Sequence, residues 1–331
     1  MFSVDPPLPF ACDLISLSFI AGILLLCFLS LAYIFHLRLK SRFSRHLQSF
    51  NSLWTVRYLL VSFITLWALN ELFRLPSFRF QYLYPFLPSP TLDQRTQICK
   101  IHVVLSLGVF EPGFLISLLF LVNVSVNKEK PRGSRAVLFV LSTCLPTVFL
   151  QTFFTFFSGW ELQLLPEIFQ RSSMVYRSRM GDETVLCTYP LAGTVVFGAF
   201  VVVYGMWFST SCFRLVSLVI NKALRVRIYV LAITVMVALP LQTVLLGLSV
   251  LWTPDQAVYD GVVLVIFLST LICAAVGQGF LVIRPITDSL VAGGFCPWLI
   301  ADEHSGPQSE NGCRQQLVVV VDVVQEMEER N

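Results

Sequence analysis

Apolar stretches of membrane length, separated by shorter polar segments, make up most of the chain. A helix that crosses a bilayer needs about 20 consecutive, mostly apolar residues. Seven stretches meet that length, at about residues 14–35, 53–73, 101–124, 136–157, 189–208, 228–252 and 258–283. Each is a continuous apolar run rather than a period-two alternation, which predicts helices and not barrel strands. Trp67, Asn70 and Glu71 dilute the far end of the second run. The pattern predicts an all-α polytopic membrane protein, a bundle of seven transmembrane helices over residues 14–290. A short segment 1–13 precedes it and a tail 291–331 follows.

Charge orients the bundle. Basic residues in short loops mark the cytosolic side of a membrane. The first connection holds Arg38, Lys40, Arg42 and Arg45, the third Lys128, Lys130 and Arg132, and the fifth Arg225 and Arg227. The opposite loops are long, and their Arg and Lys are mixed with acids. Asp5 and Asp13 precede the first run, with no Lys or Arg before it, so it reads as a span and not a cleaved signal. The N-terminus is predicted outside and the C-terminus in the cytosol.

Composition agrees. Of 331 residues 56% are hydrophobic and 13% charged, with a mean hydropathy of +0.74. A soluble domain carries about 25% charged residues. Charges this sparse cannot clothe a globule in water, so the chief partner is the lipid bilayer. A nucleic-acid binder, a secreted disulfide scaffold and a disordered tail protein are excluded. The net charge of +3 is too small to imply a polyanionic partner.

This topology sorts the nine cysteines. Cys12, Cys99 and Cys187 fall on the oxidising side, where disulfides persist. A Cys99–Cys187 bridge would pin the long loop after the fourth helix across the mouth of the bundle. Two free thiols, or Cys12 paired with either, are the alternatives. Residues 77–91 interleave aromatics with prolines, as an interfacial belt or as a lid. Residues 159–186 mix acids and arginines, as an ordered loop or one that binds a partner. The sequon Asn123-Val124-Ser125 lies at the predicted inner end of the third helix, out of reach of glycosylation.

Within the membrane, Glu111 stands out near the middle of the third run, followed by Pro112 and Gly113. A charged side chain there costs about 2.5–3.5 kcal/mol on insertion scales and faces the bundle interior. Proline lacks an N–H and frees the carbonyl four residues back, at Gly108. A kinked, polar point in mid-membrane suits a ligand pocket, a proton site or a switch. The structural alternative is a carboxyl that satisfies a neighbouring helix through Gln151, Gln242 or Gln278. Pro146 and Pro240 predict further kinks, the latter freeing the carbonyl of Met236. Gly277 and Gly279 predict close helix approach.

No phosphate loop, nucleophile elbow or metal-ligand spacing is present, so neither catalysis nor a cofactor is expected. With no convincing internal repeat, the usual transporter signature is also missing. The inner loops suit an anionic leaflet or a cytosolic partner. Cys296, between Phe295 and Trp298, is a candidate palmitoylation site. Residues 301–315 read as disordered, and 317–324 as an apolar run too short to span.

Seven helices, an exterior N-terminus and outer cysteines at the third helix and the loop after the fourth resemble the G-protein-coupled-receptor architecture. The run from His46 to Arg57 resembles plant candidate receptors of this heptahelical type, with a possible relation to the tobamovirus-multiplication and THH-like proteins. The resemblance implies a plasma-membrane receptor coupling an unknown extracellular signal to a heterotrimeric G-protein subunit or another cytosolic signalling protein. Glu111, Pro112, Pro240 and Gln242 are then the ligand or switch candidates. A scaffold that recruits cytosolic proteins, or a transporter or channel using Glu111, are the other readings.

Overall fold

A computed structural model describes residues 7–41, 53–79, 91–126, 133–157, 173–177, 183–219, 222–253 and 256–292. The fold is all-α, with seven helices long and apolar enough to cross a membrane. In chain order these are α1 (Pro7–Ser41), α2 (Trp54–Arg74), α3 (92–126), α4 (133–157), α5 (Leu191–Leu218), α6 (Lys222–Ser249) and α7 (257–292). Arg42, Arg45, Lys128, Lys130, Arg132, Cys296 and the tail lie outside the described residues, as do most of 77–91 and the first part of 159–186.

Helix ends explain where the boundaries depart from the apolar runs. Thr91 caps α3 reciprocally: its hydroxyl accepts the Gln94 N–H, and the Gln94 side-chain oxygen accepts the Thr91 N–H. This capping box starts α3 about nine residues before its apolar run. At the end of α2, Leu75 is extended at φ −68°, ψ 118°, ahead of Pro76, because the proline ring disfavours helical backbone in the residue before it.

Six helices form a closed ring in the order α1, α2, α4, α5, α6, α7, and α3 runs through its middle. In the apolar window of α3, 78% of residues are buried, against 22% in α4. The outer faces are apolar. On α4 they show Leu138, Leu141, Leu145 and Phe149, each at least half exposed and three or four residues apart. Such a stripe is what lipid, rather than water, tolerates.

Between α4 and α5 lies an antiparallel hairpin, β1 (Ser173–Arg177) and β2 (Glu183–Cys187), in the register Ser173↔Cys187 and Val175↔Val185. Cys187 is bridged to Cys99 near the start of α3, while Cys12 is free.

Gly277 is needed for packing, since a Cβ there would meet Leu118 Cδ1 of α3 at 2.6 Å. Gly279 has open space around it, so close approach is not its role. Pro240 sits inside a continuous α6 with its ring exposed on the outer face.

Candidate functional site

The central helix is not uniform. It is α-helical over Leu92–Val104, π-helical over Leu105–Phe110, and α-helical again over Glu111–Val126. The Glu111 N–H reaches back five residues to the Ser106 carbonyl. Pro112 has no N–H, and the carbonyl of Gly108 accepts instead from the Thr147 hydroxyl of α4, at 3.0 Å. That hydroxyl also faces its own Cys144 carbonyl at 2.7 Å, so its one proton serves two acceptors. Helices α4 and α7 carry π segments too, over Phe153–Phe157 and Gly279–Ile283, so it is the buried carboxyl at its end that singles this one out.

Glu111 itself is 4% exposed. The Gln242 Nε2 of α6 donates to its Oε2 at 2.6 Å, and the Ser106 hydroxyl donates to its Oε1 at 3.0 Å. Beside it Trp67 of α2 stacks on Phe267 of α7, with centroids 5.6 Å apart. The indole N–H faces the carboxyl without completing a hydrogen bond. One carboxyl thus gathers side chains of α2, α3 and α6.

The glutamines divide the work. Gln242 serves Glu111, Gln151 of α4 donates to the Gly193 carbonyl of α5 at 2.8 Å, and Gln278 of α7 donates to the Ser30 hydroxyl and Leu26 carbonyl of α1. The Oε1 atoms of Gln151 and Gln242 are buried without a partner. Among the described residues no cluster of His, Cys, Asp and Glu could hold a metal ion.

A second polar cluster, missed in the sequence, lies at the disulfide end. Asn70 of α2 and His102 of α3 clasp reciprocally. The Asn70 side chain donates to the His102 carbonyl, and the His102 Nδ1 meets the Asn70 carbonyl, both at 3.1 Å. Since that carbonyl can only accept, Nδ1 carries a proton. Glu71 pairs with Arg74 at 2.8 Å and lies 4.0 Å from the His102 Nε2.

Arg79, 2% exposed, donates to the Val185 carbonyl and brings its other Nη to the sulfurs of Cys99 and Cys187. The Tyr259 hydroxyl of α7 donates to the Cys187 carbonyl at 3.0 Å. Asn70, Glu71 and Arg74 within one helical turn were the available signal, because ionisable residues inside a span default to function.

An apolar groove of about 420 Å³ opens beside this cluster, between α2 and the π segment, lined by Leu66, Leu69, Phe73, Phe78, Leu105 and Phe110 among others.

At the opposite, basic end, Arg38 lies over the Trp54 ring at 3.9 Å, and Lys40 sits in the last turn of α1. Arg225 donates to the Val219 carbonyl that ends α5, and Arg227 pairs with Asp288 of α7 at 3.0 Å. These two are therefore engaged in tying helix ends together.

No curated protein and no solved structure matches the chain. A family model described as Uncharacterised conserved protein UCP031277 matches residues 9–295, so the chain, a polytopic membrane protein, belongs to that family.

Proposed function

We propose that this is a receptor-like protein in which a signal arriving at the disulfide end moves helices around α3 and changes what the basic end offers to cytosolic partners. The observation that carries this reading is the grip of Gln242 and Ser106 on the Glu111 carboxyl. It ties α6 to the junction of π and α geometry in the central helix. A ligand shifts such a two-state element only if it binds one state better. The pinned hairpin and the His102–Asn70 clasp supply the contacts through which a ligand outside would pull on α2 and α3. The orientation, the plasma-membrane address and coupling to a heterotrimeric G protein belong to the same proposal.

The test is nucleotide exchange on purified heterotrimeric G protein, with the full chain in lipid nanodiscs, comparing wild type, Glu111→Gln and Gln242→Leu. Coupling energies of 1–3 kcal/mol correspond to changes of about fivefold or more, and shifts of that size in basal exchange are expected in both variants. Exchange equal to empty nanodiscs for all three proteins would sink G-protein coupling. Solute or proton flux in liposomes that Glu111→Gln abolishes would establish a transporter instead.

A further inference from the structure

The Cys99–Cys187 bridge has a cation at its sulfurs. Arg79 is 2% exposed, and its Nη2 is fixed to the Val185 carbonyl of β2 at 3.1 Å. Its Nη1 meets both halves of the bridge, 3.8 Å from the Cys99 sulfur and 3.9 Å from the Cys187 sulfur.

That placement treats the closed and opened bridge differently. The sulfurs of a disulfide are neutral, and sulfur is a weak acceptor. A thiolate in the same place takes a charge-assisted hydrogen bond, roughly twice as strong as a neutral one. The guanidinium therefore favours the opened bridge over the closed one. A cation beside a cysteine favours its thiolate, and exchange runs faster when the departing thiolate is better stabilised.

The two sulfurs also differ in access. Cys99 on α3 is 0% exposed, whereas Cys187, the last residue of β2, is only half-buried. Attack from outside the bundle falls on Cys187, and the leaving group is Cys99.

We propose that this bridge is a site of thiol–disulfide exchange with an external dithiol, in which Arg79 holds the departing Cys99 thiolate. One thiolate of the dithiol attacks the Cys187 sulfur, the Cys99–Cys187 bond breaks, and its electron pair leaves on Cys99. The second thiolate of the dithiol attacks the mixed disulfide at the dithiol's own sulfur, and Cys187 leaves. The bridge gains two electrons, the dithiol loses two and becomes a disulfide, and its two protons end on the two cysteines.

Opening changes what β2 is tied to. The closed bridge fastens it to α3. The opened strand keeps Arg79 at the Val185 carbonyl and the Tyr259 hydroxyl of α7 at the Cys187 carbonyl. The redox state of this face thus sets whether the hairpin pulls on the central helix, whatever signal the protein answers to.

The experiment exposes the folded full chain in dodecyl maltoside to dithiothreitol and blocks thiols at intervals. Peptide mass spectrometry then reads Cys99 and Cys187 apart from the other cysteines. The wild-type bridge opens without denaturant, and Arg79→Met opens about tenfold more slowly. Arg79→Lys keeps the charge and opens faster than Arg79→Met. Both variants give up the forked contact of the guanidinium, so the difference between them isolates the charge from any loosening of the hairpin. Equal rates for the two would overturn the role of Arg79. A wild-type bridge that opens only in denaturant would overturn exchange altogether and leave a permanent staple.

Discussion

Individual polar side chains decide the geometry at the centre of the bundle. Gln242→Leu removes the 2.6 Å contact to Glu111 and leaves one carboxyl oxygen without a donor. Interhelical hydrogen bonds of this kind are worth about 1–2 kcal/mol in model systems. Unfolding of the variant in detergent should show a loss of that size, and an unchanged melting temperature would mean that the contact does not form in solution. Some of this layer is legible in the sequence, because covalent chemistry dictates it. Proline at 112 cannot donate to residue 108, so a free carbonyl at Gly108 follows from the formula alone. That Thr147 would answer it does not follow, because Thr147 belongs to another helix and its position depends on packing. The same holds for Asn70 and Glu71, which look like dilution of a hydrophobic run until α2 is set beside His102 of α3.

At the scale of elements, close contacts rather than apolar area set which helices touch. Gly113 faces the Phe63 ring of α2, whose Cδ1 would lie 2.6 Å from an added Cβ. Gly113→Ala therefore forces α2 and α3 apart, at about 1–3 kcal/mol as overpacking typically costs. Phe63→Leu in the same chain should recover most of that loss, a rescue a double-mutant cycle would measure. The hairpin behaves differently. The Cys99–Cys187 bridge spans 88 residues of sequence, which in a soluble chain would strongly restrict the unfolded state. In the folded bundle the bridge ties β2 to the start of α3. Spans are read easily from the chain because lipid demands length and apolarity, whereas strands as short as β1 and β2 give no comparable pattern.

For the whole molecule, orientation is the property most open to direct measurement. With the N-terminus outside, an impermeant maleimide on intact cells labels neither Cys99 nor Cys187 until reduction. Cys99→Ser should unmask Cys187, and Cys187→Ser should unmask Cys99. Thiols that stay unreachable in both variants would mean an inverted or internal protein, and would remove the outside signal on which the receptor reading depends. Seven spans and the cysteine pairing could both be reasoned from the chain. The placement of one helix inside a ring of six could not, because all seven runs look equally apolar from their composition.

That central placement sets how the protein meets membranes of different thickness. Bilayers vary by a few ångströms between compartments, and a helix that mismatches its surroundings tilts or bends to fit. Such adjustment falls on helices wetted by lipid, above all α4, whose window is only 22% buried. The axis helix, with 78% of its window enclosed, meets protein nearly everywhere. Among its neighbours α4 is the freest to lean, whereas α6 is held to the hub by the Gln242 donor to the Glu111 carboxyl, so mismatch is taken up on the side of the ring away from that contact.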